Sequence, residues 1–123
     1  KNIWKRSLFY YEEYIEIITE IEEENFTSPE RILFLSVIFQ ALLDATKEKT
    51  KVESSRTSVE RANARAWFFS SIGVTCDNFE YVCDNAGMDA DYTRSFAIKV
   101  IKSKEIKYVR QRIRRVLDKS WLR

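Results

Sequence analysis

VCDNAGMDADYTRSFAIK, residues 82–99, decides how this chain is read, because two helical stretches meet in it at Gly87. Before the glycine, Phe79, Val82 and Cys83 fall on one helical face. After it, Asp89 is an N-cap, its short carboxylate accepting an N–H of the next turn. Tyr92, Phe96 and Val100 then repeat at helical spacing. Gly87 supplies the positive φ that its neighbours would resist, and Met88 is placed to pack beneath the turn. The stretch therefore predicts a helix-turn-helix-like unit over about 78–101. Ala90, Asp91, Arg94 and Lys99 are the residues expected to face out.

Such a unit is one way to present a helix to the DNA major groove. It is also an ordinary glycine-terminated helix followed by another. Asp89 and Asp91 lie at the helix end that would approach phosphates, and the outward set is poor in Asn, Gln and Arg. Both features disfavour direct base readout. Arg94 is the best candidate for reaching the groove.

The rest of the chain is read outward from this unit. With only Gly 2 and Pro 1 in 123 residues, there is little turn chemistry for many short strands. The fold class expected is all-α, a single domain of five or six helices. Three helix starts are marked by capping patterns: Thr27-Ser28-Pro29-Glu30, Thr57-Ser58-Val59-Glu60 and Asp77-Asn78-Phe79-Glu80. The first helix is expected over roughly 5–24, with Leu8, Tyr11, Ile15 and Ile18 inward and a solvated acidic end at Glu22, Glu23 and Glu24. The second, roughly 29–47, is apolar nearly all round and reads as the central helix. Residues 46–58 read as a mobile polar connection. A third helix, near 58–70, is expected to bury the face of Val59, Ala62, Ala66 and Phe69, with Trp67 and Phe68 beside it. Ile72 to Thr75 form a short connector, and a helix over 78–86 leads into the glycine. Helix 1 or 2 is the expected seam of any homo-oligomer.

Charge is unevenly distributed. Residues 1–60 carry a balance of −4, residues 61–93 of −3, and residues 94–123 of +9, which together give the net +2. Residues 104–121 read as a basic amphipathic helix, with Ile106, Val109, Ile113, Val116 and Leu117 inside. A one-signed basic end points to an anionic partner, with double-stranded DNA first. Arg94, Lys99, Lys102, Lys107, Arg110, Arg114 and Arg115 are the candidate nucleic-acid-binding residues, through phosphate neutralisation. A solvated charged helix face is the plainer alternative, and only its single sign lifts it above that.

Other chemistry is thinly represented. The chain has no His, hence no imidazole base or ligand. It has no Gly-rich phosphate loop and no hydrolase or metalloprotease motif. No catalytic residue, metal or cofactor is expected, and an enzyme is the least expected class. Cys76 and Cys83 are seven apart, which suits neither a metal knuckle nor a redox pair, so reduced structural thiols are expected. Trp4, Trp67 and Trp121 read as core or terminal anchors. No run of about 18 apolar residues is present, so no membrane span is expected. Lys1 rather than Met opens the sequence, as expected of a chain that has lost its start.

Three segments carry a family resemblance. Leu35-Ser36-Val37-Ile38-Phe39-Gln40-Ala41-Leu42-Leu43-Asp44-Ala45 resembles an AVIxQAxxDA segment. Ala64-Arg65-Ala66-Trp67-Phe68-Phe69-Ser70-Ser71 resembles ARxWxxS. Residues 79–94, FEYVCDNAGMDADYTR, are similar to FxxVCxxAGxDPxxVR. All three, in this order, resemble short proteins encoded by tailed phages and prophages. The likeness covers about 30–100. Ala90 stands where proline is usual, and Thr93 where Val or Ile is usual. The resemblance implies a phage origin, a bacterial host cytoplasm and a helix-turn-helix-like module, and it brings no catalytic residue. The expected function is a DNA-binding accessory or regulatory protein in transcription or genome handling. The alternatives are a module docking on a protein such as RNA polymerase, or a small terminase-like assembly subunit.

Overall fold

The computed structural model describes residues 8, 10–25 and 28–121, with side chains through 119. Six helices follow one another: α1 Glu12–Glu22, α2 Pro29–Ala45, α3 Ser55–Phe69, α4 Val74–Ala86, α5 Ala90–Ile101 and α6 Ile106–Trp121. No strand occurs among the described residues. The all-α single domain is as the sequence predicts.

α2 is the hub. It packs on α3, α4, α5 and α6, and its Leu35, Ile38, Phe39 and Leu42 are fully buried. This follows from its composition, because a helix apolar nearly all round is stable only when surrounded. Ser28 caps it, accepting from the Arg31 N–H at 3.1 Å, with Pro29 at the first helical position. Thr27, the start of the predicted box, lies outside the described residues.

The α4–Gly87–α5 unit forms as read. Gly87 is left-handed, φ 74°. Its N–H bonds Asp84 O at 3.1 Å, and the Met88 N–H bonds Cys83 O at 2.9 Å, the paired closure of a Schellman motif. Asp89 caps α5 by accepting from the Tyr92 N–H at 2.9 Å, and Met88 is buried beneath the turn. Arg31 braces the turn from α2, donating to Ala86 O at 2.7 Å. A β-carbon on Gly87 would meet Arg31 Nε at 3.2 Å. Gly87→Ala is therefore expected to cost about 1–2 kcal/mol in left-handed strain, with displacement of Arg31 added. Urea unfolding measures it, and a loss under about 0.5 kcal/mol would show that the turn relaxes freely.

Four boundaries or faces differ from expectation. α1 begins at Glu12, because the Tyr11 N–H turns back onto Leu8 O at 2.8 Å; residues 5–7 and 9 lie outside the described residues. α3 begins at Ser55 rather than near Ser58. Ser54 caps it, accepting from the Thr57 N–H at 3.1 Å, while Glu60 turns to Lys47 and Arg56 and does not close the predicted box. α4 begins at Val74 behind Gly73, not at the Asp77 cap.

The fourth correction concerns the face that α3 buries. Val59 and Phe69 are 55% and 39% exposed, whereas Phe68 is 0% exposed. The sequence offers two apolar stripes on this helix. Phe68 and Trp67 win because they meet Phe79 of α4, at centroid distances of 5.8 Å and 4.9 Å. Trp67 also donates to Asn78 Oδ1 at 2.8 Å. Aromatic pairs of this kind add about 0.5–1.5 kcal/mol beyond area burial, which decides between otherwise similar stripes.

Nor is the 46–54 connection loose. Glu53 receives two Arg61 nitrogens, at 2.9 Å and 2.7 Å, and Lys47 pairs with Glu60. The Arg61 guanidinium holds the Glu53 carboxyl below its ordinary pKa, and Lys47, then Arg56, does the same for Glu60.

Candidate nucleic-acid interface

α6 lays Val109, Ile113, Val116 and Leu117 into the core, against α1, α2 and α5. Its spacing forces the intervening Lys and Arg residues outward or sideways. The seven predicted contact residues then divide into two groups.

Lys99, Lys102, Lys107, Arg114 and Arg115 are exposed. Arg94 and Arg110 are not free to leave the protein surface. Arg94 had been expected to face out from α5, but it reaches inward. Its Nε donates to Phe68 O at 3.0 Å, one terminal nitrogen meets Asp91 at 3.0 Å, and the other approaches Cys76 Sγ at 3.5 Å. Its guanidinium lies 4.7 Å from the Phe79 ring centroid. The carbonyl at the end of α3 needs a donor, and Arg94 is the long cation within reach. It acts as a strut tying α5 to α3 and α4.

Arg110 does the same for α2. One terminal nitrogen donates to Leu43 O and to Thr46 Oγ1, both at 2.6 Å. Thr46 itself donates to Leu42 O at 2.7 Å, so the last turn of α2 is closed from both sides. Burial lowers the Arg110 pKa from its ordinary value, the nearby Arg114 charge adds to this, and Asp44 opposes it.

A residue that the sequence reading passed over joins Arg110 here. Arg65 of α3 donates through Nε to Ala45 O at 2.9 Å. Two arginines from different helices are thus fixed by neighbouring carbonyls at one helix end, where cations are favoured by the dipole. Arg65 is the arginine of the ARxWxxS-like segment, but that resemblance carries no role for it. Its role depends on α3 crossing the end of α2, which periodicity does not reveal.

Arg65, Arg110, Lys107 and Arg114 line one groove of about 680 Å³. Thr46, Ile101, Ile106, Tyr108 and Gln111 complete it, and Glu48 is its only carboxylate. Among the described residues, none of these four cations has an ion-pair partner. Several cations elsewhere are ion-paired: Arg61 with Glu53 at 2.7 Å, Arg112 with Glu22 at 2.6 Å, and Arg56 with Glu60 at 3.2 Å.

The opposite flank of α6 is neutralised. Besides Arg112–Glu22, Lys119 lies 3.9 Å from Glu24 and bonds Glu22 O. The acidic end of α1 is therefore not simply solvated, as had been expected. It covers part of the basic helix and leaves the groove side positive.

Among the described residues no group of three His, Cys, Asp or Glu side chains is placed to hold a metal, and no helix is long and apolar enough to cross a membrane. Cys76 and Cys83 are free and buried, and burial pushes the Cys83 thiol up to about 11, as suits core residues rather than reactive ones. Comparison with protein-family models, curated proteins and solved structures finds no match to this chain.

Proposed function

We propose that this chain is a phage-encoded DNA-binding accessory or regulatory protein, acting in transcription or genome handling, that neutralises phosphates through its basic C-terminal region. One observation carries the reading: four cations, Arg65, Lys107, Arg110 and Arg114, line one groove with a single carboxylate, Glu48, and none of the four has an ion-pair partner among the described residues. Uncompensated positive charge gathered on one side is the footprint of a polyanion partner. The exposed Lys102, Lys107, Arg114 and Arg115 are the phosphate contacts. Arg94 and Arg110 support them from within the fold. The resemblance to phage proteins across 30–100 adds the phage setting, and the α4–Gly87–α5 unit is compatible with a helix-turn-helix role. The outward side of α5 presents Asp91, Ser95, Ile98, Lys99 and Lys102, which favours backbone contact over base readout.

The test is fluorescence anisotropy of a labelled random-sequence duplex across a salt series. Four phosphate contacts predict a log–log salt slope of about −3.6. Absence of binding at low salt would remove the reading.

A second reading, a protein-docking module or small terminase-like assembly subunit, is favoured by a separate feature. Val59, Ala62, Ala66 and Phe69 line the outer side of α3, and Ile72 and Val74 beyond it are 84% and 85% exposed. Light scattering addresses it: a ring-sized particle supports assembly, and a monomer at high concentration counts against it.

A further inference from the structure

The shape of the basic site limits what can enter it. When a protein reads a duplex, the protein protrudes and the nucleic acid is recessed: a helix or ribbon enters a major groove about 12 Å wide. Here the relief is reversed. The fixed arginines, the part-buried Arg110 and the more exposed Arg65, line a recess between the end of α2, α3 and α6. Its volume of about 680 Å³ suits one or two nucleotides rather than a double helix.

The lining also combines two chemistries. Lys107 and Arg114 add charge, while Tyr108, Ile101 and Ile106 contribute aromatic and aliphatic surface to the same lining. A single strand needs both, a cation for its phosphate and a flat apolar surface for its base. Arg65 and Arg110 spend one nitrogen each on the carbonyls of α2. Their guanidiniums are thereby held in place, and their remaining donors are left for an anion. That preorganisation lowers the ordering cost of binding. Lys102, next in the chain to the groove-lining Ile101, is exposed and continues the positive charge outside the recess.

We infer that the groove takes an unpaired DNA strand or strand end, with phosphates on Arg65, Arg110 and Arg114 and a base against Tyr108. This rests on the nucleic-acid reading above and specifies the class of substrate. A duplex with a single-stranded tail is then the preferred ligand, its paired part lying over the exposed lysines.

The experiment titrates the full chain into three fluorescein-labelled probes at one low salt concentration: a dT oligomer, a blunt duplex, and the same duplex carrying a dT tail. The tailed duplex is expected to bind about tenfold tighter than the blunt one, the lower range of stacking a single base. Tyr108→Leu is expected to remove that advantage, and Tyr108→Phe to keep it, with blunt-duplex affinity unchanged in both. Thermal unfolding of each variant reports whether the fold is kept. If Tyr108→Leu does not fold, the three-probe comparison on the unaltered chain still decides. Equal or tighter binding of the blunt duplex overturns the inference and leaves the phosphate-binding reading standing. Failure to bind any probe overturns both.

Discussion

Replacing Phe96 by alanine is expected to lower the free energy of unfolding by about 3–5 kcal/mol. Phe96 is fully buried and stacks on Tyr14 at a centroid distance of 4.2 Å, with the rings 3° from parallel. Tyr11 meets its edge at 5.6 Å, and Tyr14 carries the contact on to Phe39 of α2 at 6.1 Å. Phe96 is thus the residue through which α5 is joined to α1 and the hub helix. Truncation would leave a cavity walled by aromatic rings, which collapse poorly, so the cost belongs at the upper end of the range. For a chain of 123 residues the whole stability is about 6–18 kcal/mol. One side chain would therefore remove a large fraction of it.

A companion variant separates packing from hydrogen bonding. Tyr14 Oη and Thr93 Oγ1 lie 2.6 Å apart, both buried, and burial raises the Tyr14 pKa well above its ordinary value. Tyr14→Phe keeps the stack and leaves the buried Thr93 hydroxyl only the Cys83 thiol as a side-chain partner, so its cost is about 1–3 kcal/mol. Urea unfolding with an unchanged slope is the measurement for both. A Phe96→Ala loss below the Tyr14→Phe loss would show that α5 is not anchored through this stack.

Much of this architecture can be read from the chain before any coordinates. The Gly87 turn, the Asp89 cap and the buried Met88 follow from local chemistry, because the motif closes within six residues and needs no tertiary partner. The apolar composition of 32–43 likewise announces a central helix. The inward stripe of α6 follows from spacing alone.

The failures share a physical cause. Val59, Ala62, Ala66 and Phe69 are as well spaced as any core stripe, yet Phe68 is the buried residue, because Phe79 of α4, which only the tertiary arrangement brings near, meets Phe68 and Trp67 instead. The Thr57 box has the right residues, but Glu60 is drawn to Lys47 and Arg56 instead, and the Asp77 box falls inside a helix that already begins at Val74. Long side chains are the hardest to place. Arg94, Arg110 and Arg65 look like surface cations by composition, and each is held by a helix-terminal carbonyl from a distant segment. Spacing along one helix says where an arginine starts, not which carbonyl its guanidinium finds.

This distinction governs the most informative charge reversal at the groove. Lys107→Glu combined with Arg114→Glu is expected to weaken DNA binding by more than about a hundredfold at low salt and to flatten the log–log salt slope by about 2 units, close to 0.9 per lost phosphate contact. Both side chains are exposed, and neither makes an ion pair among the described residues. The fold should therefore survive, while the formal charge moves from +2 to −2. Reversing Arg110 together with Arg114, the obvious choice from sequence, would confuse two effects. Arg110 satisfies Leu43 O and Thr46 Oγ1, and losing a charged hydrogen-bond donor at a partly buried helix end costs about 1.5–3 kcal/mol by itself. Arg110→Ala should accordingly lower thermal stability clearly. Lys107→Glu/Arg114→Glu should leave it within about 0.5 kcal/mol of the parent. Anisotropy and thermal unfolding on the same preparations separate the two. If the exposed pair binds DNA as the parent does, with an unchanged salt slope, the groove side of α6 is a solvated face, and the phosphate contacts must be sought elsewhere on the chain.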